Sequence, residues 1–185
     1  LTDVARNTAS LLDPPGENLR PIDLATLVPS IATLMQSRVH PNLISVDVPP
    51  LWALGHANRV KQVLINLILN ASEAINELAP DEGGRICVAV LTRGQDVAIQ
   101  VVDNGIGLTK PGVRTEFHAF DTTKKLRGGQ GLGLWLCARL VDGMGGHLSL
   151  RSDGVGTGAC ATITLPRTTA PAKDDMIDLS DYFVN

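Results

Sequence analysis

The stretch NRVKQVLINLILNASEAINEL, residues 58 to 78, constrains the fold more than any other part of the chain. Val60, Leu64, Leu67, Ala71 and Ile75 recur at three- and four-residue intervals, the period of one helix face. Ile65 and Leu69 widen that apolar arc beyond what a surface helix needs, so most of this helix has to be buried. A narrow polar stripe remains: Arg59, Gln62, Asn66, Asn70, Glu73 and Glu77, spaced so that they share one side. Such a stripe is ordinarily a wetted surface. A strip of amides within a mostly buried helix is instead the wall of a polar pocket, and amide oxygens are hard ligands that suit Mg²⁺ alongside water and phosphate. The helix alone leaves these two readings evenly matched. Asn58 is the candidate N-cap.

The partner layer is legible as strands. RICVAVLTR and DVAIQVVD are apolar, β-branched runs joined by Gly94 and Gln95, the pattern of a hairpin. LISVDV and LWALG, set between prolines, read as two short strands, and HLSLRS and GACATITLP as two later ones. Near the start, Asp23 is placed to cap an amphipathic helix, with Pro29 a caution against so early a beginning. GLGLWLCARLVDGMGG is a helix led in and terminated by glycines. The chain is therefore α/β, and 185 residues suit one domain with a two-layer core.

Several function classes are excluded by composition. A net charge of −3 with no basic stripe gives no reason to expect nucleic acid. No apolar run approaches the ~20 residues of a membrane span, so no direct membrane contact is expected. Cys87, Cys137 and Cys160 form no C-x-x-C pair and leave one over. Each lies in an apolar run, which predicts buried free thiols in a reducing, cytoplasmic compartment.

Two glycine-rich stretches complete the chemistry. In DNGIGL (103–108) a carboxylate leads a loop in which Gly105 and Gly107 permit close backbone approach. Asp103 only accepts hydrogen bonds, so it suits a donor such as the exocyclic amine of adenine and is a poor neighbour for phosphate. Taken alone it is an ordinary Asp-Asn-Gly turn. In GGQGLGLWLC, Gly128, Gly129, Gly131 and Gly133 lead a helix whose free N–H groups can receive phosphate. The spacing fits neither a Walker nor a dinucleotide-binding fingerprint. Lys124, Lys125 and Arg127 lie just upstream as a source of positive charge.

In this order, NLILNASEA, DNGIGL, FHAFDTTK and GGQGLGLWLC closely resemble the four boxes of the ATP-binding catalytic domain of sensor histidine kinases, within the gyrase, Hsp90, kinase and MutL ATPase superfamily. The NAsEA and TTK forms are similar to the nitrogen-regulatory and dicarboxylate-sensing kinases. The resemblance covers about residues 20–166 and implies a two-layer α/β sandwich. A mixed, mostly antiparallel sheet would pack on three helices, with a mobile ATP lid over 109–129. It implies ATP and Mg²⁺ as ligands. Asn70 would hold the metal with Asn66 assisting, Asp103 would read adenine, and Gly105 and Gly107 would give the base room. Glu73 and Leu108 would line the nucleotide site. Gly129, Gly131, Leu132 and Gly133 would surround the phosphates, Lys124 would meet the γ-phosphate, and Phe120, Thr122 and Thr123 would complete the lid contacts. Phe117 and Phe120 would anchor the lid.

The implied activity is transfer of the γ-phosphoryl group to a histidine on a separate dimerisation domain, and thence to a response-regulator aspartate; the parent would be a homodimer. Residues 1–19 would be the end of a dimerisation helix and a linker, and 167–185 a polar tail. His40, His56, His118 and His147 lie in loop, lid or strand-start positions, and none is a plausible phosphoacceptor. Asn66 stands where gyrase-like relatives carry a water-activating glutamate, which favours phosphotransfer over hydrolysis. Departures occur at His118, Ala119 and Asp121 in the lid box, at Ala159 where threonine is usual, and at His56 where aspartate is common. A degenerate nucleotide-binding or docking module and a serine-kinase anti-sigma-like protein are the competing readings.

Overall fold

The computed structural model describes residues 19–78, 83–119 and 132–171. Strand β1 (Arg20–Asp23) runs straight into helix α1 (Leu24–Gln36). The Asp23 carboxylate accepts from Ala25 N at 3.0 Å and from Thr26 Oγ1 at 2.7 Å, capping the helix as expected. Pro29 lies inside α1 after all. Its missing N–H removes one early intrahelical bond, and burial of Leu24, Val28, Ile31, Ala32 and Met35 against the sheet outweighs that loss.

Strands β2 (Leu43–Asp47) and β3 (Trp52–Gly55) precede helix α2 (Ala57–Leu78). The helix begins one residue before Asn58, so Asn58 is not its cap; the His56 carbonyl accepts from Val60 N instead. The hairpin β4 (Arg85–Arg93) and β5 (Asp96–Asp103) turns at Gly94, where φ is +62°. Then come β6 (Gly112–Arg114), α3 (Gly133–Asp142), β7 (His147–Ser152) and β8 (Ala159–Thr168).

The sheet is mixed and mostly antiparallel. β2 lies parallel to β4, with Leu43 opposite Arg85. β4, β5 and β8 are antiparallel, with Asp103 opposite Ala159. Along its other edge β8 pairs first with β7 and, at Trp52 opposite Thr168, with β3, which in turn carries β1. The three helices among the described residues pack on one face of the sheet. Inward residues alternate along the strands: Ile86, Val88 and Val90 on β4, and Val97, Ile99 and Val101 on β5. They meet Val60, Leu64, Leu67, Ile68 and Ile75 of α2 and Leu140 and Val141 of α3 in one aliphatic core.

Two expectations change in detail. Only Cys137 is buried; Cys87 and Cys160 are half-exposed because period-two alternation turns them to the outer face, although all three thiols are free. The start of the segment expected as lid is a strand: Gly112 pairs with Ser152 and Arg114 with Leu150.

Candidate functional site

Two walls of a site are built by α2. Asn66 and Asn70 are half-buried one turn apart on the face that meets α3 and the loop after β5, whereas Glu73 is exposed. The Asn66 side chain lies under the beginning of α3. Its Nδ2 donates to Cys137 Sγ at 3.0 Å, and a Cβ on Gly133 would come within 3.0 Å of Nδ2 and 3.3 Å of Oδ1. A side chain at Gly133 would therefore crowd the amide, which would have to shift by a few tenths of an ångström. Helix α3 starts without a side-chain cap, since Leu132 at the N-cap position has no polar group. Burial pushes the Cys137 thiol up to about 11, the Asn66 hydrogen bond opposing, so sulfur stays a neutral thiol.

Two turns further along α2, Ala74 meets the loop. Its carbonyl accepts from Ile106 N at 2.9 Å, and a Cβ on Gly105 would sit 2.5 Å from the Ala74 carbonyl carbon. Gly107 has φ +72°, and an added Cβ would run into the Gly154 carbonyl. These glycines are therefore required by contact with α2 and with the β7–β8 turn, before any ligand is considered.

At the loop's head, Asp103 is half-buried. Its Oδ1 accepts from Gly105 N at 2.9 Å and Ala159 N at 3.2 Å. Among the described residues both bonds fall on Oδ1, which leaves Oδ2 for another donor. Burial lifts the carboxyl above the ordinary range, while the two backbone N–H groups pull it back. Ala159 has no side-chain hydroxyl to offer, but its backbone N–H still donates to Asp103.

Ser152 is the principal site residue that sequence reasoning passed over. Only 3% exposed, its hydroxyl donates to the Gly158 carbonyl at 2.7 Å and accepts from Leu108 N at 3.1 Å and Gly154 N at 3.2 Å. It ties the 103–108 loop to the β7–β8 turn; its only sequence signal is a serine ending a strand before a glycine-rich turn. Ser152→Ala is expected to destabilise the fold by about 1–3 kcal/mol, the cost of unsatisfied buried groups. Urea unfolding with an unchanged midpoint would show that these bonds contribute nothing.

The structure therefore brings Gly133 to Asn66 and Gly105 to Ala74 on α2, with Asp103, Gly107 and Leu108 in the same loop as Gly105. Phe117 is half-buried at the core margin with the Arg114 guanidinium 5.4 Å from its ring centre. Phe120, Thr122, Thr123, Lys124, Gly129 and Gly131 lie outside the described residues. A separate open cleft of about 380 Å³ lies on the far side of α3, between Phe117, His118, Trp135, Arg139 and His147; none of the expected nucleotide residues lines it.

Residues 55–169 match the family described as histidine kinase-, DNA gyrase B- and HSP90-like ATPases. The chain belongs to this ATPase family. Its relatives within the family are sensor kinases. It is 32% identical over 147 residues to the nitrogen regulation protein NtrY of Azorhizobium caulinodans, covering 77% of this chain and 19% of that protein. With the C4-dicarboxylate transport sensor protein DctB of Rhizobium meliloti it shares 37% over 142 residues, 74% of this chain and 22% of that one. The chain thus spans about a fifth of the length of these relatives. Among solved structures, full-length ShkA in complex with AMPPNP superposes with a TM-score of 0.71 at 28% identity, covering 91% of this chain and 35% of that one. The catalytic domain of histidine kinase ThkA gives 0.66 at 26% identity, covering 82% of this chain and 97% of that one. Among the described residues no helix of this ATPase domain is long and apolar enough to cross a membrane.

Proposed function

We propose that this ATPase domain binds ATP with Mg²⁺, adenine at Asp103 and the phosphates at the start of α3. It presents the γ-phosphoryl group to a histidine on a separate dimerisation domain, from which it passes to a response-regulator aspartate. The observation that carries the reading is the spacing of its two ends along α2. Asn66 touches the uncapped start of α3, and Ala74 touches the loop headed by Asp103. Eight helical residues separate them, about 12 Å of rise, the scale of a nucleoside triphosphate. A carboxylate at one end suits an amine donor; helix N–H groups at the other suit an anion.

The donor set fits Mg²⁺. Mg²⁺ usually takes few protein ligands, and that share is assigned to the amide oxygens of Asn70 and Asn66, half-buried one turn apart. Asn66 Nδ2 is already engaged by Cys137, which leaves its oxygen for that role. Mg²⁺ would supply neutralisation of phosphate charge. The chain's own residues supply positioning: Asp103 fixes the base, the start of α3 takes up phosphate oxygens, and Asn66, an amide, withholds the base that would activate water. His40, His56, His118 and His147 all lie outside helices, in keeping with an acceptor on another domain.

The direct test is transfer of label from γ-labelled ATP to a separately produced dimerisation domain. Acid-labile label on its histidine is expected; binding of ATP without transfer would reduce the chain to a nucleotide-binding module. The adenine assignment has its own test. Asp103→Asn is expected to weaken ATP binding by about 1–3 kcal/mol, the cost of mispairing a buried polar group. GTP is expected to bind poorly, since its O6 acceptor would face a carboxylate. Calorimetric affinities that are equal for ATP and GTP, and unmoved by Asp103→Asn, would put the base elsewhere.

A further inference from the structure

We propose that Cys137 is a positioning residue that turns the amide of Asn66 so its oxygen faces the phosphate and metal end of the site. This inference rests on the reading of Asn66 given above. An asparagine amide has two ends of equal size and opposite chemistry: the oxygen accepts or ligates, and the NH₂ only donates. Which end faces the cavity decides whether Asn66 helps a divalent cation or repels it. A contact across the helix pair makes that choice. Among the described residues the partner that does is Cys137, whose Sγ accepts from Nδ2 at 3.0 Å across the α2–α3 contact.

Two positions of α3, one turn apart, share the task. Gly133 supplies space, since a Cβ there would lie within 3.0–3.3 Å of the amide atoms. Cys137 supplies the acceptor, and at 2% exposure its sulfur is closed to water. With Nδ2 engaged below, Oδ1 is the end left for a ligand. Alanine and valine bracket cysteine in size, one smaller and one larger, and neither accepts a hydrogen bond.

The experiment compares nucleotide affinity with Mg²⁺ and with EDTA by calorimetry on the 185-residue chain, for the wild type, Cys137→Ser, Cys137→Val, Cys137→Ala and Asn66→Ala. The quantity read is the ratio of the two affinities. Valine and alanine are expected to reduce the Mg²⁺-dependent gain by about three- to tenfold, as for one lost hydrogen bond, leaving the EDTA affinity unchanged. Serine keeps an acceptor and is expected to keep the gain. In Asn66→Asp both ends are oxygen, so adding Cys137→Val to that background is expected to change the ratio no further. A wild-type ratio in Cys137→Val or Cys137→Ala overturns the proposal, and so does a fall in Cys137→Ser, which keeps an acceptor at that position. Asn66→Ala separates this from the site itself. If it leaves the ratio unchanged, Asn66 is no metal neighbour and the underlying reading fails; if it lowers the ratio while Cys137→Val does not, only the positioning role fails.

Discussion

Gly158→Ala is expected to lower stability by about 2–4 kcal/mol, combining left-handed strain with a forced backbone shift. Gly158 has φ +72°, and a Cβ there would run into the carbonyl oxygen of Asp103, with the Asn104 Cα 3.0 Å away. The obstruction is backbone on a strand end, which cannot swing aside as a side chain can. Its N–H also donates to the Gly105 carbonyl at 3.0 Å, and its carbonyl takes the Ser152 hydroxyl. Any shift that relieves the clash therefore pulls on the loop that presents Asp103. Gly156→Ala is the control: φ is +79° there, yet nothing lies within 4 Å of an added Cβ. It is expected to lose only about 1–2 kcal/mol, the strain alone. Thermal unfolding of the two variants side by side isolates the close approach. Equal losses would mean that the β8 start and the 103–108 loop are not pressed together as described.

The parts of this fold that were legible are those governed by short-range period. The three- and four-residue repeat of α2, the Gly94–Gln95 hairpin and the Asp23 cap are written within a few neighbouring residues, and the structure has them. What escaped depends on partners distant in sequence. β6 is three residues, too short for alternation to register, and exists because β7 offers it an edge. Pro29 argued locally against a helix that tertiary burial then stabilises. The motif residues of the site were readable as types, but their reasons were not. Gly105 and Gly107 were expected to make room for a base; the structure shows their space facing the backbones of Ala74 and Gly154. The Asn66–Cys137 contact joins residues 71 apart, and Ser152 works through three backbone groups that no spacing rule connects to it.

Asn70→Ala is expected to reduce Mg²⁺-dependent phosphotransfer on the order of 100-fold or more, the scale of losing one fixed electrostatic contact to a reacting group. Asn70 is half-buried one turn from Asn66, midway between the start of α3 and the Ala74 contact. On the proposed reading, Asn70 lies between the base at Asp103 and the phosphates at the start of α3, where its amide oxygen would meet a metal held by those phosphates. Alanine is a strong helix former, so α2 itself should not suffer. Asn70→Asp keeps an oxygen but sets a negative charge against phosphate, and is expected to lose transfer as well. Asn70→Ala adds no charge and does not touch Asp103, so its nucleotide binding measured in EDTA should survive. Transfer falling together with EDTA binding would mean that Asn70 holds up the fold of the site. Transfer within threefold of wild type would move the metal off Asn70, and with it the reason this helix keeps an amide at that half-buried position.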